Sequence, residues 1–350
     1  MGKKQRQNKG ITLSDVAARA GVSAITVSRV LRRPQMVSPD LRERVKVAVE
    51  ALNYLPDPAA SALASKRTNV VGVLIPSVTN QVFSAVLRGI YDATEETSLD
   101  IQLANTRYRI AEEEKLIRIF RSQKPAGMIV AGIDQSEAGK SMLQDLDCPV
   151  VQIMEISPDP IDMMVGFSHF EAARTATDHL VRNGYRRVGF LGARMDPRTQ
   201  RRYEGYRAAL AAAGLDHQGL AITTVAASSV TLGGQMLGDL LSQCPDADAV
   251  FCNNDDIALG ALFECQRRRL GVPDAFGIAG FNDIEMMACT YPSLTSVRTH
   301  RHEMGRRAVS LIIDALDGKR PEHPVVDLGF QLMERDSTRR SRRLDIGVRS

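Results

Sequence analysis

Apolar positions near the amino end of the chain recur at three- and four-residue intervals, which is the spacing of one face of a helix. The first set lies within residues 13–20, and the second comprises Val27, Val30 and Leu31. Gly21 lies between the two sets, where a positive φ would end the first helix. The pattern predicts two short helices joined by a tight turn, with the second apolar set facing back towards the first helix.

Polar residues at the expected helix starts support this interpretation. Thr12 precedes Asp15 by three residues, a spacing at which the two residues exchange hydrogen bonds at a helix start, and Ser23 is a good cap for the second helix. Small, hydroxyl-bearing and guanidinium side chains lie on or near the outer face of the second helix: Ala24, Ile25, Thr26, Ser28 and Arg29. Such a pair is typical of the helix-turn-helix, whose second helix enters the major groove of DNA. A helical hairpin with a solvated outer face is the alternative.

A third helix and a linker are predicted next. Ser38 followed by a proline favours a helix start, and the apolar stripe that follows completes an all-α head over residues 1–52. The segment 53–68 contains two prolines and an alanine-rich stretch, which is typical of a hinge whose helix is marginal alone in water. Leu63 in that stretch has little core to enter, and it therefore needs a partner.

From Asn69 onwards, apolar runs alternate with amphipathic stretches of helical length. The apolar runs are Val70–Ile75, Ile101–Ala104, Met128–Ala131, Val150–Met154, Val188–Leu191, Ala249–Cys252 and Gly277–Phe281. The amphipathic stretches include Val82–Thr97, Glu112–Ser122, Glu171–Arg182, Tyr203–Ala213, Leu232–Gln243, Ile257–Arg269 and Arg301–Leu316. Alternating strands and helices predict parallel sheets covered on both faces. Because about 270 residues exceed one such layer, we expect an α/β core of two doubly wound parallel-sheet subdomains with a cleft between them.

Charge is distributed unevenly along a chain of ordinary composition. The 350 residues are 44% hydrophobic and 25% charged, with a formal net charge of +4. Residues 1–68 hold 13 Lys and Arg against 5 Asp and Glu, a surplus of eight positive charges, so residues 69–350 carry −4. The positive field of the first segment favours DNA phosphates. The basic sequence at 337–350 predicts a disordered tail.

Several other chemistries are disfavoured. Five cysteines without a C-x-x-C pair are typical of reduced thiols, and the polar amino end shows no secretory signal, so a cytoplasmic location is expected. Because no run of about 18 apolar residues occurs, no membrane span is predicted. The phosphate-loop-like ending at residues 138–141 has Asp134 where the first glycine belongs, and G-x-G-x-x-G and G-x-S-x-G are absent. Since the histidines also lack partners at metal-ligand spacing, we expect no enzyme, cofactor or metal.

A set of motifs in order along the chain resembles the LacI/GalR family of transcriptional regulators. The motifs are Thr12–Leu31, Tyr54-x-Pro56, Val71–Pro76, Asn254-Asp255-x-x-Ala258-x-Gly260-Ala261, Gly280–Ile284 and Pro292-x-Leu294-Thr295. Together they cover residues 11 to 335. Within the family, the stretches Val78–Phe83, Val165–Arg174, Gly192–Thr199 and Phe263–Arg267 are similar to the gluconate-utilisation repressors.

The resemblance implies a homodimer on a palindromic operator of double-stranded DNA. Its positions would put Ala24, Ile25 and Arg29 against base edges, where the guanidinium suits guanine and the apolar pair suits a thymine methyl. Hydroxyl groups would contact phosphates, which position a protein without specifying sequence: Thr12, Ser23, Thr26 and Ser28. Leu63 would insert into the minor groove, where an apolar wedge offsets unstacking by widening and bending the duplex.

The resemblance also implies a periplasmic-binding-protein-like core over residues 69–336. One subdomain would comprise 69–164 with 298–326, and the other 165–297 with 327–336. A small-molecule effector would bind between them at these family positions: Phe83, Glu155, Arg202, Asn254, Asp255 and Asn282. Arg198 and His169 are secondary candidates.

The chemistry of the predicted effector residues favours an acidic ligand. Arg202 lies near the start of a predicted helix, where a guanidinium is a good clamp for a carboxylate or for ring hydroxyls. Arg198 and Arg201 in the same run favour an exposed basic helix face. Asn282 stands where the family usually has aspartate, which removes a repulsion for an acid and weakens the expectation of a neutral sugar.

These observations favour a repressor whose operator affinity is controlled by a sugar acid, gluconate or a related compound. A cytoplasmic receptor or regulator for a neutral sugar is the alternative. An exported sugar-binding protein of the same core is disfavoured by the absent signal and the basic head. An α/β enzyme is disfavoured by the absence of a catalytic set.

Overall fold

The structure is a computed structural model, and its described residues are 11–32, 36–54, 67–215 and 218–340. They form two compact units, one within residues 1–68 and the other within residues 69–350. Across the described residues, no helix combines the length and the apolar character needed to cross a membrane.

Three helices lie in the described part of the first unit, and their ends follow from local hydrogen bonds. The helices are α1 (Leu13–Ala20), α2 (Ala24–Arg32) and α3 (Pro39–Leu52). The Asp15 carboxylate accepts from the Thr12 amide at 2.8 Å and from the Thr12 hydroxyl at 2.7 Å. Gly21 ends α1 at a φ of 64°. These contacts confirm the predicted start and end of the first helix.

The inward face of α2 departs from the prediction at one position. Val27 is fully buried and Val30 is 9% exposed, whereas Leu31 is 39% exposed. The prediction that Leu31 faces α1 is wrong, because successive residues of a helix turn by about 100° and Leu31 lies beyond the edge of the buried stripe.

Arg44 of α3 supports the turn between the first two helices. Its Nη2 donates to the carbonyl oxygen of Ala20 at 2.8 Å and to that of Gly21 at 3.3 Å. The last carbonyl groups of a helix lack partners within the helix, so this side chain satisfies acceptors that α1 leaves open. The third helix thereby stabilises the turn that orients α2.

The second unit contains two six-stranded sheets. The first sheet, in spatial order, is β11 (Val325–Asp327), β5 (Met163–Gly166), β4 (Val150–Ile153), β3 (Gly127–Ala131), β1 (Val70–Ile75) and β2 (Asp100–Asn105). The second is β12 (Phe330–Met333), β10 (Thr295–Thr299), β9 (Gly277–Asn282), β8 (Ala249–Cys252), β6 (Val188–Ala193) and β7 (Ala221–Thr224). All neighbouring strands run parallel except β10 and β12, which are antiparallel.

Helices connect these strands and cover both sheets. They are α4 (Gln81–Thr94), α5 (Ile110–Gln123), α6 (Glu137–Gln144), α7 (His169–Arg182), α8 (Pro197–Ala212), α9 (Val230–Gln243), α10 (Asp255–Arg268), α11 (Met286–Cys289) and α12 (Arg301–Leu316). The fold class predicted from the alternating pattern is confirmed, with one antiparallel edge strand as the departure.

Five strands of the structure were not predicted, because none of them was identified as an apolar run. They are β5, β7, β10, β11 and β12. The edge strands β7, β11 and β12 are only partly buried and therefore need no continuous apolar run. Strand β10 is buried but polar, and two of its hydroxyls are hydrogen-bonded: Thr295 Oγ1 lies 2.7 Å from Thr338 Oγ1, and Ser296 donates to Asp255 at 2.7 Å.

The chain passes between the two subdomains three times, after β5, after β10 and after β11. The expected boundaries at residues 164, 297 and 326 fall inside these strands, so they are corrected to the strand ends at 166, 299 and 327. The reason is that the ladder of hydrogen bonds along a strand ties its whole length to one sheet.

Residues 337–340 of the predicted tail are ordered. Ser337 is fully buried in a turn of 3-10 helix. Its hydroxyl donates to the Ile278 carbonyl oxygen at 2.7 Å and accepts from the Thr295 amide at 2.8 Å. The prediction of a disordered tail is therefore wrong for residues 337–340, which pack on the second sheet, and residues 341–350 lie outside the described ranges.

Glycine allows α9 and α10 to pack closely, which gives a stability prediction. A Cβ at Gly233 would lie 2.4 Å from the Ile257 carbonyl oxygen, whereas at neighbouring Gly234 the nearest atom, the Gly260 carbonyl oxygen, would be 3.4 Å away. We expect Gly233→Ala to lower the free energy of unfolding by about 1–3 kcal/mol through overpacking. Gly234→Ala should raise it by up to ~1 kcal/mol, because alanine is the better helix former. Urea unfolding measures both, and equal effects would contradict this packing.

Candidate functional site

The outer face of α2 carries the residues that were predicted to meet base edges. Ile25 is 72% exposed and Arg29 is also exposed. Three further residues are half-buried at the edges of this face: Ala24, Thr26 and Ser28. The face therefore presents one guanidinium and one large apolar side chain beside small and hydroxyl-bearing neighbours.

The two helix starts hold exposed hydroxyls that are engaged within the chain. The Thr12 hydroxyl donates to Asp15, and the Ser23 hydroxyl accepts from the Thr26 amide at 3.1 Å, which caps α2 as predicted. Leu63, the predicted minor-groove wedge, lies outside the described residues.

A cavity lies in the second unit at the carboxyl ends of the strands of both sheets, and we call it the cleft cavity. The first subdomain contributes Asn80, Val82, Phe83, Tyr108 and Met154 to its wall. The second contributes, among others, Arg194, Asp196, Arg198, Arg202, Asn254 and Asn282. An outer cavity of about 410 Å³ shares Tyr108, Arg194, Asp196 and Arg198 with it. Strand carboxyl ends are where open α/β sheets bind ligands.

Arg202 of α8 lines the cleft cavity and is 7% exposed. Its Nε donates to His169 Nδ1 at 3.1 Å, its Nη1 donates to the Asn253 carbonyl oxygen, and its guanidinium lies 3.7 Å from the centroid of the Phe281 ring. Among the described residues, Arg202 forms no ion pair, although the more distant carboxylates of Asp196, Glu155 and Asp255 favour its charged form. Burial lowers the pKa of Arg202 to about 10, so the group stays charged at neutral pH. A buried cation without an anion in contact favours an anionic ligand.

Arg198, one turn earlier on α8, lines the same cavity. Its side chain is 12% exposed, and its Nη2 lies 3.2 Å from Asp196 Oδ2. Burial opposes its charge, but Asp196 together with Tyr108 and Asp134 raises the pKa of Arg198. Asp196 also caps α8 by accepting from the Thr199 amide at 2.9 Å. The predicted exposed position is therefore wrong for Arg198.

Arg201 joins the two subdomains instead of lying on a solvated face. Its Nη1 donates to Asp134 Oδ2 at 3.1 Å, and the same nitrogen lies 3.6 Å from Glu155 Oε2. Both acids follow strands of the first subdomain, whereas Arg201 belongs to the second. The prediction of an exposed basic helix face is wrong here too, because the opposing acids lie far away in the sequence.

Glu155 is buried beside the cleft cavity but does not line its wall. Its Oε1 accepts from the Ile156 amide at 3.1 Å, while Oε2 has no hydrogen-bond partner among the described residues. Burial raises the pKa of Glu155, and Arg201 partly opposes that rise. This predicted effector residue is therefore not among the residues that line the cleft cavity.

Asn282, Asn254 and Phe83 lie on the wall of the cleft cavity. Asn282 is 4% exposed with a φ of 111°, and no described residue hydrogen-bonds to its Oδ1. Asn254 Oδ1 accepts from the Ile257 amide at 3.1 Å and so caps α10. An unpaired buried amide oxygen is costly, so a ligand hydroxyl would satisfy it.

Asp255 does not line the cleft cavity itself but lines a small adjoining cavity that shares Asn254 and Asn282 with it. Its carboxylate accepts from the Ser296 hydroxyl at 2.7 Å and from the Ile284 amide at 2.8 Å. Burial raises its pKa to about 6. These bonds tie the segment after β8 to β10 and to the segment after β9, so Asp255 also holds these segments together.

Sequence reasoning missed several residues of the wall. Asn80 and Asp196 could have been found as caps of the helices that follow β1 and β6. Asn80 Oδ1 accepts from the Val82 amide at 3.0 Å. Tyr108 and Arg194 carry no such signal, yet the Arg194 guanidinium lies 4.0 Å from the Tyr108 ring centroid. Non-glycine residues with positive φ cluster at these strand ends: Arg107, Tyr108, Met154, Arg194, Met195, Asn282 and Asp283. Strained backbone of this kind concentrates at functional sites.

The side chains that line the cleft cavity have the chemistry to bind a small polar anion. The guanidiniums of buried Arg202 and partly buried Arg198 can hold a carboxylate, the unpaired amide oxygen can hold hydroxyls, and the phenyl ring can contact a carbon skeleton. Within the described ranges, no group of three His, Cys, Asp or Glu is placed to hold a metal ion.

Comparison with known proteins covers both units. The family model "Bacterial regulatory proteins, lacI family" matches residues 12–57, and "Periplasmic binding protein-like domain" matches residues 177–338. The HTH-type transcriptional regulator GntR of Pseudomonas aeruginosa is 40% identical over 327 residues, which is 93% of this chain and 95% of the relative. The HTH-type transcriptional regulator IdnR of Escherichia coli is 37% identical over 328 residues, 93% of this chain and 98% of the relative.

A solved structure is also similar to this chain over most of its length. The crystal structure of a LacI-family transcriptional regulator from Silicibacter pomeroyi has a TM-score of 0.84 at 36% identity, covering 94% of this chain and 100% of that chain.

A helix-turn-helix unit and a two-subdomain cleft in one chain define an effector-controlled, DNA-binding regulator. The chain belongs to the LacI family of bacterial transcriptional regulators. Repressors of this family bind operator DNA and small-molecule effectors and act as dimers. The relatives that span nearly the whole chain are transcriptional regulators and not enzymes.

Proposed function

We propose that this protein is a repressor whose affinity for its operator is controlled by a sugar acid, gluconate or a close relative, bound in the cleft cavity. The observation that carries the proposal is Arg202, a buried guanidinium on the cavity wall with no carboxylate in contact. An effector carboxylate would supply the missing anion through a charge-assisted, bidentate hydrogen bond. The resemblance to gluconate-utilisation repressors supports the same class of ligand.

The other groups on the wall fit the hydroxylated part of such an acid. Asn282 offers an amide oxygen without a partner, and Arg198 offers donors beside it. At the position of Asn282 the family usually has aspartate, whose charge would repel an acidic ligand. The neutral amide keeps a hydrogen-bonding group there and removes that repulsion.

The proposed DNA contacts divide into base readout and phosphate binding. Arg29 would bind guanine in the major groove, and Ala24 and Ile25 would contact thymine methyl groups. The hydroxyls at the helix starts and edges would contact phosphates: Thr12, Ser23, Thr26 and Ser28. Leu63 in the linker would act as the minor-groove wedge. Two copies in a dimer would read two half-sites of a palindrome.

Coupling between the two sites requires two conformations of the protein. In the proposal, the effector favours a closed arrangement of the two subdomains, and this arrangement holds the linker at 53–68 in a state that binds the operator poorly. The effector acts only through its different affinities for the two states. Because operator DNA is the partner, the proposal also places the protein in the cytoplasm.

Calorimetry with gluconate, galactose and a purine base tests the class of effector. We expect gluconate to bind and the two neutral ligands to bind at least about 10-fold more weakly, because each leaves the buried guanidinium without an anion. A preference for galactose would reject the acid and support the neutral-sugar alternative.

A further inference from the structure

The buried imidazole of His169 is hydrogen-bonded to Arg202 but does not line the cleft cavity. His169 is fully buried and is the first residue of α7, just after the chain leaves β5. Its Nδ1 accepts from Arg202 Nε at 3.1 Å, and its Nε2 lies 2.8 Å from the Met154 carbonyl oxygen. His169 therefore contacts one wall residue from each subdomain.

The two hydrogen-bond partners of the imidazole determine which of its nitrogens carries the proton. A guanidinium N–H can only donate, so Nδ1 must present a lone pair. A carbonyl oxygen can only accept, so Nε2 must carry the proton. The neutral ring thus satisfies both bonds in one tautomer, and the other tautomer or the protonated ring would break the bond to Arg202.

Aromatic contacts hold the imidazole in place. Its ring centroid lies 4.5 Å from that of Phe167 and 5.7 Å from that of Phe281. Phe281 also lies against the Arg202 guanidinium at 3.7 Å. The guanidinium is therefore fixed by one ring face, one imidazole nitrogen and one backbone carbonyl, and its remaining donors are left for the cavity.

We propose that His169 is a positioning residue for the effector, which orients Arg202 so that the site prefers a carboxylate to the corresponding alcohol. The inference rests on the proposed function, because it assigns the selectivity of that same cavity. His169 does not line the cavity, so it acts through Arg202 and does not itself bind the effector.

The test measures the affinities of the full-length protein for gluconate and for glucitol, which has a CH2OH group in place of the carboxylate. His169→Leu removes the acceptor at Nδ1, and we expect the preference for gluconate to fall about 10-fold or more with little change for glucitol. His169→Asn keeps an acceptor near the Nδ1 position and should retain most of the preference. An unchanged preference in His169→Leu would overturn the inference.

A matched control comes from the same helix. His179 is also a buried histidine of α7, and it is hydrogen-bonded to Thr338 at 2.8 Å, away from the cleft cavity. His179→Leu, the same substitution as in the test variant, should keep the preference of the natural protein. Loss of the preference in this variant as well would show that a general loosening of α7, and not the bond to Arg202, explains the result.

Two further readouts separate the inference from the proposed function. If the natural protein itself shows no preference for gluconate, the sugar-acid proposal fails whatever His169 does. The tautomer can be read without any effector by nitrogen NMR of the imidazole at pH 7, where we expect a proton on Nε2 and a lone pair on Nδ1. A proton on Nδ1 would overturn the inference, even if His169→Leu fails to fold.

Discussion

Arg202→Met is expected to lose most of the affinity for gluconate while leaving operator binding in the absence of effector within about 3-fold of the natural protein. Methionine keeps an apolar chain of similar length in the buried site but removes the charge and the donors. Truncating one partner of a buried charge pair costs about 2–5 kcal/mol, which corresponds to about 30-fold or more in the dissociation constant. Calorimetry measures the loss directly.

The same helix provides the control for that experiment. Arg207 of α8 is exposed and does not line the cleft cavity. Arg207→Met removes the same charge, and the affinity for gluconate should stay within about 2-fold, because exposed charges are screened by water and salt. Unaltered gluconate binding by Arg202→Met would place the carboxylate elsewhere in the cavity, with Arg198 as the next residue to test.

Arg29→Ala is expected to remove most of the preference for the operator over random DNA. The operator here is a palindrome selected by the protein from random duplexes. A bidentate contact from arginine to guanine contributes about 1–3 kcal/mol of discrimination, so operator affinity should fall about 5- to 150-fold. Affinity for random duplexes should fall far less, since phosphate contacts supply it. Fluorescence anisotropy with both duplexes gives the ratio.

Arg42→Ala is the matched control for the head. Arg42 is an exposed arginine of α3, outside the face of α2 that is proposed to read bases. Its loss should weaken operator and random DNA by similar factors and leave their ratio nearly unchanged. If Arg29→Ala behaves like Arg42→Ala, Arg29 contacts phosphate and the proposed base readout is wrong.

The head could be predicted closely because its signals are local. The pairing of Thr12 with Asp15 and the turn at Gly21 depend on neighbours within a few residues, and the structure has both. Leu31 was harder to place, because it stands at the edge of a stripe whose width depends on how α1 and α3 pack around it. Arg44 gave no signal at all, since its partners at Ala20 and Gly21 lie more than twenty positions earlier.

The cleft cavity was predicted only in part because its geometry is non-local. The order of strands and helices predicts that strand ends meet, and Arg202, Asn254 and Asn282 do line one cavity. Side-chain direction does not follow from that order. Asp255 accepts a hydrogen bond from Ser296 because β10 pairs with β9. This pairing could not be predicted from the sequence, because β10 is not an apolar run.

The limit of prediction from the sequence is clearest for the charged residues. In the sequence, Arg198 and Arg201 belong to one basic run and favour the same exposed face. In the structure, Arg198 is buried against Asp196, and Arg201 reaches Asp134 of the other subdomain. Whether an arginine faces water or an acid is decided by chain segments tens of residues away, so composition alone could not separate the two.

The measurement that tests the account most directly is the operator affinity of the natural protein across a titration with gluconate. Couplings between sites are typically 5- to 150-fold, so we expect saturating gluconate to raise the operator dissociation constant by about 10-fold or more, and Arg202→Met to show no such response. An operator dissociation constant that stays the same at gluconate concentrations shown by calorimetry to fill the cavity would contradict the account.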